Sequence, residues 1–289
     1  MYQKFLLITP AYNAENTISK LIESVLKQSI KPLRWIIVDD GSTDSTFDLI
    51  KQYEKKHSFI QLEQLTKDVQ KHSFGAKSNA LNHVISKLDL ATIDFIGILD
   101  ADLELPEEYF SILLNRMNND PSLGIGGGDY QPYYDGAFHN RKQSAEWSVA
   151  GGLQMFKVQC FIDIGAKFLA SPYGVEDAAM EIMARAKGWR VRTFRDLPVT
   201  HYGRVGWAAG SRFRYRLRRG ISFGTLGYHP LFVIARCIHR SFESPFIIGS
   251  FVELFGFLTW SIYSGKRLLD HETIRFLRKE QIQRLLGKK

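Results

Sequence analysis

The chain has 289 residues, and 45% of them are hydrophobic, which is enough apolar material for a large core and excludes a disordered protein. Its two cysteines, Cys160 and Cys237, are too few for a disulfide framework or a cysteine-rich zinc site, so we expect both to pack in the core in a reducing compartment. The net charge of +8 is uneven: residues 201–289 carry 16 Lys/Arg against 5 Asp/Glu (+11), and residues 1–200 carry 22 against 25 (−3). Two regions with different partners are therefore expected, and the basic one suits an anionic membrane, nucleic acid or a phosphorylated substrate.

Short apolar runs that end in polar turns alternate with amphipathic segments at the start of the chain. The runs KFLLITP and RWIIVDD are typical of strands buried on both faces of a sheet, and from Ile18 onwards apolar residues recur at i, i+3, i+4, i+7 and i+8, as on one face of a helix. A helix after GSTDST, a weak strand FIQL, a helix over residues 76–88 and a strand DFIGIL follow. This order predicts an open α/β fold with a mostly parallel sheet flanked by helices. The N-terminal sequence MYQKFLLITP has too short an apolar run for a signal peptide, so nothing there predicts export.

Polar residues stand where three of these strands end, in TPAYNAE, VDDGSTDST and LDADLE. Ligands of open α/β sheets bind beyond the carboxyl ends of the strands, so these turns predict a binding site. Each turn has a structural alternative, since Asp44 or Ser45 could cap the second helix and DDGS could be a tight turn. Their coincidence at three strand ends favours the binding site.

Asp100 and Asp102 follow the strand DFIGIL one residue apart. Two carboxylates in this spacing offer hard oxygen ligands to Mg²⁺ or Mn²⁺, which complete their coordination with water and substrate phosphates. A diphosphate is therefore the natural complement of this motif. The alternative is that both aspartates are turn and capping residues before LPEEYF.

Five motifs, in this order and spacing, resemble the inverting glycosyltransferases of family 2: TPAYNAENTISKLIESVLKQS, WIIVDDGSTDST, GAKSNALN, ILDADLELPEEYF and YGVEDAAMEIMARAKGWRV. The resemblance covers roughly residues 4–195 and implies the GT-A fold, a nucleotide-diphospho-sugar donor, most often a UDP-sugar, and a divalent cation, Mn²⁺ or Mg²⁺. It also implies transfer of the sugar with inversion at the anomeric carbon.

The resemblance assigns roles residue by residue. It implies donor-binding roles for Pro10, Tyr12, Glu15, Asp40, Lys77, Asp100 and Ala101, with Asp40 on the base and Asp100 near the ribose. It implies metal ligands in Asp102 and His201, the general base in Asp177, and acceptor contacts in Glu176, Trp147 and Arg212. Alternatives remain, because Glu176 and Asp177 would also suit a helix N-terminus, Trp147 and His201 could be packing residues, and Arg212 could touch the donor instead.

The signature QxxRW of processive polysaccharide synthases of this family is missing, although SRFRYRLRR occupies a comparable place. We therefore expect the transfer of one sugar per visit. We expect residues 1–205 to form the catalytic domain and residues 206–289 a basic, partly apolar helical extension.

Residues 246–263 are almost continuously apolar, and their polar exceptions Ser250, Glu253 and Ser261, with Ser264 just beyond, fall within a stripe of about 80° on a helix. This pattern favours a helix at a membrane interface, with packing on the protein or on a second subunit and a membrane span as alternatives. Arg212, Arg214 and Arg216 are candidates for binding the phosphates of a lipid-linked acceptor.

The sequence thus predicts a metal-dependent glycosyltransferase that moves one sugar onto a lipid-linked or surface-glycan precursor. We expect a cytoplasmic protein at the inner face of the cell membrane, without a nucleic-acid partner and with homodimerisation possible. The rival hypotheses are a nucleotidyltransferase, although the phosphate loop that such an enzyme needs is missing, a nucleic-acid-binding protein that uses the basic tail, and a silent sugar-nucleotide binder.

Overall fold

A computed structural model of the chain describes residues 3–65, 75–139, 145–202, 212–242, 246–263 and 266–287. Its strands are β1 (Phe5–Ala11), β2 (Arg34–Asp39), β3 (Ile60–Gln64), β4 (Phe95–Ile98), β5 (Leu103–Glu104), β6 (Leu123–Tyr134), β7 (Ala137–Phe138), β8 (Met155–Lys157) and β9 (Arg190–Tyr202). Its α-helices are α1 (Ile18–Leu26), α2 (Thr46–Lys56), α3 (Gly75–Ile85), α4 (Tyr109–Asn119), α5 (Val158–Asp163), α6 (Glu176–Ala186), α7 (Arg212–Leu226), α8 (Pro230–His239), α9 (Phe246–Tyr263) and α10 (His271–Leu285). Short 3₁₀ turns lie at Leu90–Thr92 and Gly151–Leu153.

The strands form one sheet in the order β3-β2-β1-β4-β8-β6-β9-β5, with β7 beside β6. Strands β3, β2, β1 and β4 are parallel, as the alternation of strands and helices predicts. Strand β8 runs antiparallel between β4 and β6, β9 lies parallel to β6, and β5 pairs antiparallel with β9. The prediction of a mostly parallel α/β sheet flanked by helices is confirmed.

Both faces of the central strands are buried, which explains why their sequences are apolar without alternation. Phe5 and Leu7 point into a core shared with α1 and α4, whereas Leu6 and Ile8 point into a second core shared with α3, α5 and α6. Burial on both faces fixes the register of these strands, because a shift of one residue would exchange the two cores. The carboxyl ends of β1, β2 and β4 are thereby held side by side.

The helical C-terminal extension is confirmed by helices α7 to α10, whereas the predicted boundary between residues 205 and 206 lies outside the described residues. Helix α10 packs its Ile274 and Leu277 against Ala179 and Ile182 of α6, so the extension is joined to the catalytic half by an apolar core. Helices α7 and α9 are in close contact at Gly220, which has no side chain. A Cβ added there would lie 1.9 Å from the backbone of α9.

Helix α9 is long and apolar enough to cross a membrane by length and composition alone, although a third of it is buried inside the protein. The predicted polar stripe is only partly exposed. Ser250 and Glu253 are buried against the neighbouring helices, Ser261 is exposed, and Ser264 lies outside the described residues. The carboxylate of Glu253 takes this inward position because two arginines of α7 neutralise it.

Candidate active site

A cavity of about 520 Å³ lies beyond the carboxyl ends of β1, β2 and β4, where the sequence predicts a binding site. It is lined by Pro10, Ala11, Tyr12, Asn13, Ala14, Asn16, Thr17, Asp40, Lys77, Asp100, Ala101, Asp102 and Tyr202. Six of the seven residues predicted to bind the donor are in this set. Glu15 is not, because its side chain turns to α2 and accepts a hydrogen bond from the Ser45 N–H at 3.2 Å. Tyr202 is a lining residue that sequence reasoning missed.

The loops after β1 and β2 hold each other in place. Asn13, which has a positive φ of 47°, accepts a hydrogen bond from the Thr43 N–H at 2.8 Å and donates its own N–H to Ser42 Oγ at 3.0 Å. The Asp44 carboxylate accepts from the N–H groups of Thr46 and Glu15. The N-cap residue of α2 is Ser45, which makes no capping hydrogen bond with its side chain, whereas Asp44 accepts from the N–H of the first helical residue, Thr46. Burial works to raise the pKa of Asp44, but the hydrogen bonds from Thr46 and Glu15 outweigh it and lower the pKa.

Lys77 reaches from α3 into the cavity and pairs with Asp100, with 2.5 Å between Lys77 Nζ and Asp100 Oδ1. Burial alone would lower the pKa of Lys77, but the charges of Asp100, Glu176 and Asp177 outweigh it and raise the pKa. Lys77 is therefore a permanent cation beside three carboxyl groups. Such a cation suits an anionic ligand that enters the cavity.

Asp102 and His201 are brought together by the pairing of β5 with β9, in which Leu103 is opposite His201 and the Tyr202 N–H donates to the carbonyl of Asp102 at 2.7 Å. His201 Nε2 lies 3.3 Å from Asp102 Oδ2. His201 is thus the penultimate residue of β9. Burial raises the pKa of Asp102 to about 6, against the opposing effect of His201.

A cation would find suitable donors in this pair. Asp102 Oδ1 is buried and has no hydrogen-bond partner among the described residues, so one hard oxygen is available, and His201 offers an imidazole nitrogen beside it. Among the described residues, no three His, Cys, Asp or Glu side chains form a cluster that could hold a metal ion alone. The residues therefore fit a weakly held cation that takes its other ligands from water and substrate phosphates.

Two glycines separate the cavity from the predicted base, and sequence reasoning did not single them out. A Cβ at Gly152 would lie 2.0 Å from Asp100 Oδ2, and one at Gly151 would lie 2.5 Å from Asp177 Oδ2. The Gly152 carbonyl also accepts a hydrogen bond from the Asp100 N–H at 3.0 Å. The two carboxylates can approach this turn only because neither glycine has a side chain. The dipeptide GG before a buried LQMF run was the signal in the sequence.

Glu176 and Asp177 open helix α6, where carboxylates also suit the helix dipole. Asp177 Oδ1 accepts a hydrogen bond from the Ala178 N–H at 2.7 Å, whereas Glu176 Oε2 is buried without a hydrogen-bond partner among the described residues. Burial, and then the charge of Asp177, raises the pKa of Glu176 to about 7, and burial likewise raises the pKa of Asp177. Helix capping alone does not explain two destabilised carboxyl groups.

A second cavity of about 210 Å³ lies on another side of Asp177, between α6 and α7. Its polar lining comes from Asp177, Tyr173, Tyr215, Arg218, Arg219, Ser222 and Tyr228. Asp177 thus borders a space that the donor-side residues do not line. Asp177 therefore lines the smaller cavity and lies behind Gly151 and Gly152 as seen from the larger one.

The other residues predicted to contact the acceptor are less central. Trp147 is 45% exposed, and the guanidinium of Arg284 lies 4.4 Å from its ring centre, which makes α10 its packing partner. The side chain of Arg212 lies outside the described residues. Arg216 is a correction: it is 3% exposed and pairs with Glu253 at 3.1 Å, so it is a structural residue of the α7–α9 contact and does not bind phosphate.

The fold and the site together are those of a glycosyltransferase with the GT-A fold. The model of the family described as Glycosyl transferase family 2 matches residues 6–180, and the chain belongs to that family. A poly-β-1,6-N-acetyl-D-glucosamine synthase of Staphylococcus aureus is 25% identical over 227 residues, which are 69% of this chain and 52% of the relative. The chain therefore spans about half the length of this curated relative.

Solved structures show the same fold at low sequence identity. A mannosyltransferase of Pyrobaculum calidifontis, solved with GDP-Man and Mn²⁺, superimposes with a TM-score of 0.59 at 16% identity, covering 90% of this chain and 74% of that one. Residues 1–349 of TarS of S. aureus, solved with UDP-GlcNAc, superimpose with a TM-score of 0.56 at 14% identity, covering 99% and 92%. The prediction of the GT-A fold is confirmed.

Proposed function

We propose that the protein is a metal-dependent, inverting glycosyltransferase that moves one sugar from a nucleotide-diphospho-sugar to an acceptor hydroxyl. The observation that carries this proposal is the convergence of Lys77, Asp100 and Asp102 on the cavity at the strand ends, with Asp177 close by across a pair of glycines. The donor would occupy the larger cavity, with its base near Asp40 and its diphosphate near Lys77 and Asp102. UDP is the proposed nucleotide, because the related TarS was solved with UDP-GlcNAc.

The proposed reaction is a single displacement. The acceptor oxygen attacks the anomeric carbon from the face opposite the diphosphate, a new C–O bond forms, and the bond from that carbon to the leaving phosphate oxygen breaks. Asp177 takes the proton of the acceptor hydroxyl, and the nucleoside diphosphate leaves with the bonding electrons. Burial of Asp177 supports this role, because a raised pKa makes a carboxylate a better base near neutral pH.

Glu176, which is buried beside Asp177, would contact the acceptor. Lys77 would bind donor phosphate in place of its present partner, Asp100. The Asp102–His201 pair would hold a divalent cation, which when bound stabilises the negative charge that develops on the leaving diphosphate. Water would be excluded on one side by Tyr202, which lines the cavity.

We propose that the acceptor is a lipid-linked or surface-glycan precursor and that the enzyme works at the inner face of the cell membrane. The resemblance to a poly-β-1,6-N-acetyl-D-glucosamine synthase supports a role in cell-surface glycan synthesis. We retain the transfer of one sugar per visit as the specific proposal, because the signature of processive synthases is missing. The size of the product formed under excess donor distinguishes one added sugar from a polymer.

The first experiment is a thermal-shift panel of UDP, GDP, dTDP and CMP, each with Mn²⁺, Mg²⁺ or EDTA. We expect one nucleoside diphosphate to stabilise the wild type only with metal, and Asp102→Ala to lose that stabilisation. Asp48→Ala is the matched control, because Asp48 is exposed on α2 and away from the cavity.

A nucleotide that stabilises the wild type equally in EDTA would contradict the metal requirement. If no nucleotide stabilises the protein and duplex DNA or RNA does, the basic tail would be the functional surface and the transferase proposal would be wrong. With the donor identified, the configuration of the product, measured by NMR, tests inversion directly.

A further inference from the structure

Helix α9 presents an apolar stripe to solvent. At about 100° per residue, six exposed side chains of α9 fall within about 100° of arc. They are Ile247, Ile248, Phe251, Phe255, Leu258 and Ile262, and we call them the α9 stripe. Each is at least 48% exposed, and Ile262 is 74% exposed. A contiguous apolar surface of this size on a folded protein marks a contact site.

The opposite side of α9 cannot serve as the water-facing side of an interfacial helix, because it is fixed to α7. Glu253 is 0% exposed and pairs with Arg216 and Arg219, and Gly256 lies against the backbone of Leu217. The rest of the protein therefore stands on the side of α9 away from the stripe. The helix can lie on a surface while the folded protein remains in water.

The same contacts argue against a membrane span. To cross a bilayer, α9 would have to bring Glu253 and its two arginines with it, or break both ion pairs and bury the carboxylate alone. Either route is costly. A helix that lies flat leaves the ion pairs intact and buries only the α9 stripe.

Charge selects the occupant of the stripe. Residues 212–269 carry nine Lys/Arg and two acidic residues, Glu243 and Glu253, and two of the nine cations, Arg216 and Arg219, are paired with Glu253 inside the protein. Glu253 is neutralised inside the protein, and Glu243 lies outside the described residues. Lys266 and Arg267, just beyond the C-terminus of α9, are exposed. Anionic lipid headgroups would neutralise these cations, whereas a second copy of the chain would bring its own cations against them.

We propose that the α9 stripe is a membrane-docking surface that inserts into the headgroup boundary of an anionic bilayer, with Lys266 and Arg267 on the lipid phosphates. The inference rests on the proposed location at the cell membrane, but it specifies the contact surface and needs no sugar transfer for its test. Docking would hold the protein at the bilayer, where a lipid-linked acceptor resides. The α6–α7 cavity beside Asp177 would then be close to that acceptor.

Sedimentation of the full chain with vesicles tests the proposal. The vesicles are phosphatidylcholine alone or phosphatidylcholine with phosphatidylglycerol, each at low and high salt. We expect binding to the anionic vesicles that weakens with salt. The double variant Phe251→Ser/Phe255→Ser should lower the partition coefficient at least about tenfold, because two aromatic side chains no longer leave water. Leu33→Ser is its control, since Leu33 is an exposed apolar residue far from α9 in sequence.

The charge variant Lys266→Gln/Arg267→Gln should lower binding about tenfold at low salt and much less at high salt. Lys55→Gln/Lys56→Gln is the matched control, because these two lysines are also adjacent and exposed. Circular dichroism and the nucleotide thermal shift establish that each variant is folded. A wild type that does not sediment with anionic vesicles overturns the proposal, even if it binds nucleotide and transfers sugar.

Self-association gives a second decisive outcome. If the wild type dimerises in sedimentation velocity, does not bind vesicles and becomes monomeric on Phe251→Ser/Phe255→Ser, the stripe is a subunit interface and the membrane proposal is wrong. Equal binding to neutral and anionic vesicles at all salt concentrations would overturn the role of Lys266 and Arg267. Loss of transfer with intact vesicle binding would instead contradict the proposed function alone.

Discussion

Two clusters of buried charge among the described residues are built differently. At the edge of the sheet, one cation, Lys77, lies near three carboxyl groups, Asp100, Glu176 and Asp177. Between α7 and α9, two cations, Arg216 and Arg219, surround one carboxylate, Glu253. The first cluster has too little positive charge for its carboxylates, and two of their pKa values are raised. The second has its carboxylate paired on both sides. We infer that the first cluster takes part in the reaction and that the second holds helices α7 and α9 together.

The largest expected effect tests the first half of this comparison. Asp177→Asn should lower kcat by about 10²–10⁴-fold, since the acceptor hydroxyl loses its general base. The protein should be at least as stable as the wild type, because one of three crowded carboxyl groups becomes neutral. Steady-state kinetics and urea unfolding measure the two quantities, with Asp48→Asn as the control.

Donor binding sharpens the interpretation of that variant. Asp177 is not among the residues that line the larger cavity, so the thermal shift with nucleotide and metal should persist in Asp177→Asn. If kcat stays within a few-fold of the wild type, Asp177 is not the base, and Glu176 becomes the candidate to test.

The second expected effect falls on stability and concerns the other cluster. Glu253→Ala leaves Arg216 and Arg219 buried without their carboxylate, which should lower the free energy of unfolding by about 3–5 kcal/mol. Urea unfolding measures this loss, and Glu107→Ala, at an exposed carboxylate, is the control. Nucleotide binding should survive wherever the variant is folded.

A compensated variant separates charge from packing. Replacing Arg216 and Arg219 by Met together with Glu253→Leu removes all three charges and keeps apolar volume, so it should recover much of the lost stability. If Glu253→Ala unfolds at the same urea concentration as the wild type, the α7–α9 ion pairs are not structural and the comparison fails.

The third prediction concerns the glycines that let the first cluster assemble. Gly152→Ala should weaken transfer at least about tenfold, because its Cβ would lie 2.0 Å from Asp100 Oδ2 and would displace that carboxylate. Gly124→Ala is a matched control, since its Cβ would meet Cys160 Sγ at 2.5 Å in the core, away from the cavity. Both variants should lose stability, but only Gly152→Ala should lose activity. Equal kcat/KM values for the two variants would show that Asp100 tolerates the shift.

The sequence predicts the sheet-edge cluster well because its determinants are local. Strand ends at Asp40 and Asp100 can be located from apolar runs and their polar turns, and parallel strands place such ends side by side. The position of His201 was found by resemblance, and the structure explains it by the pairing of Leu103 with His201. Contacts that depend on two distant segments were not predicted, such as Gly152 against Asp100.

The C-terminal half shows the limit of pattern reasoning. The polar stripe of α9 was recognised, but its surroundings stayed open, because a single helix does not reveal whether its carboxylate faces water or a neighbour. Arg216 and Arg219 supply the answer from 34 to 37 residues away. A glutamate in an apolar helix that follows an arginine-rich helix is the signal that could have predicted this pairing.

The last prediction is a dependence of stability on pH, and it involves residues of both halves. Glu181 lies buried one turn after Asp177 on α6, where its carboxyl group accepts a hydrogen bond from the Val149 N–H at 2.6 Å. Arg185, on the same helix, pairs with Glu280 of α10. Burial, and then the charge of Asp177, raises the pKa of Glu181 to about 8, against the opposing effect of Arg185. In the unfolded chain this pKa returns to its ordinary value of 4.5.

Between pH 4.5 and pH 8 the folded protein therefore retains a proton that the unfolded chain releases, so this group makes stability fall as pH rises. The slope contributed by one proton is at most about 1.4 kcal/mol per pH unit. Glu181→Gln removes the titration and keeps an oxygen that can accept from the Val149 N–H. The free energy of unfolding of this variant, relative to that of the wild type, should therefore increase as pH rises through this window. Glu107→Gln, at an exposed site, should follow the wild type. Parallel stability curves for Glu181→Gln and the wild type would mean that Glu181 is already ionised in the folded state. Its charge would then be stabilised by Arg185, and the effect of burial on its pKa would be smaller than that of this partner.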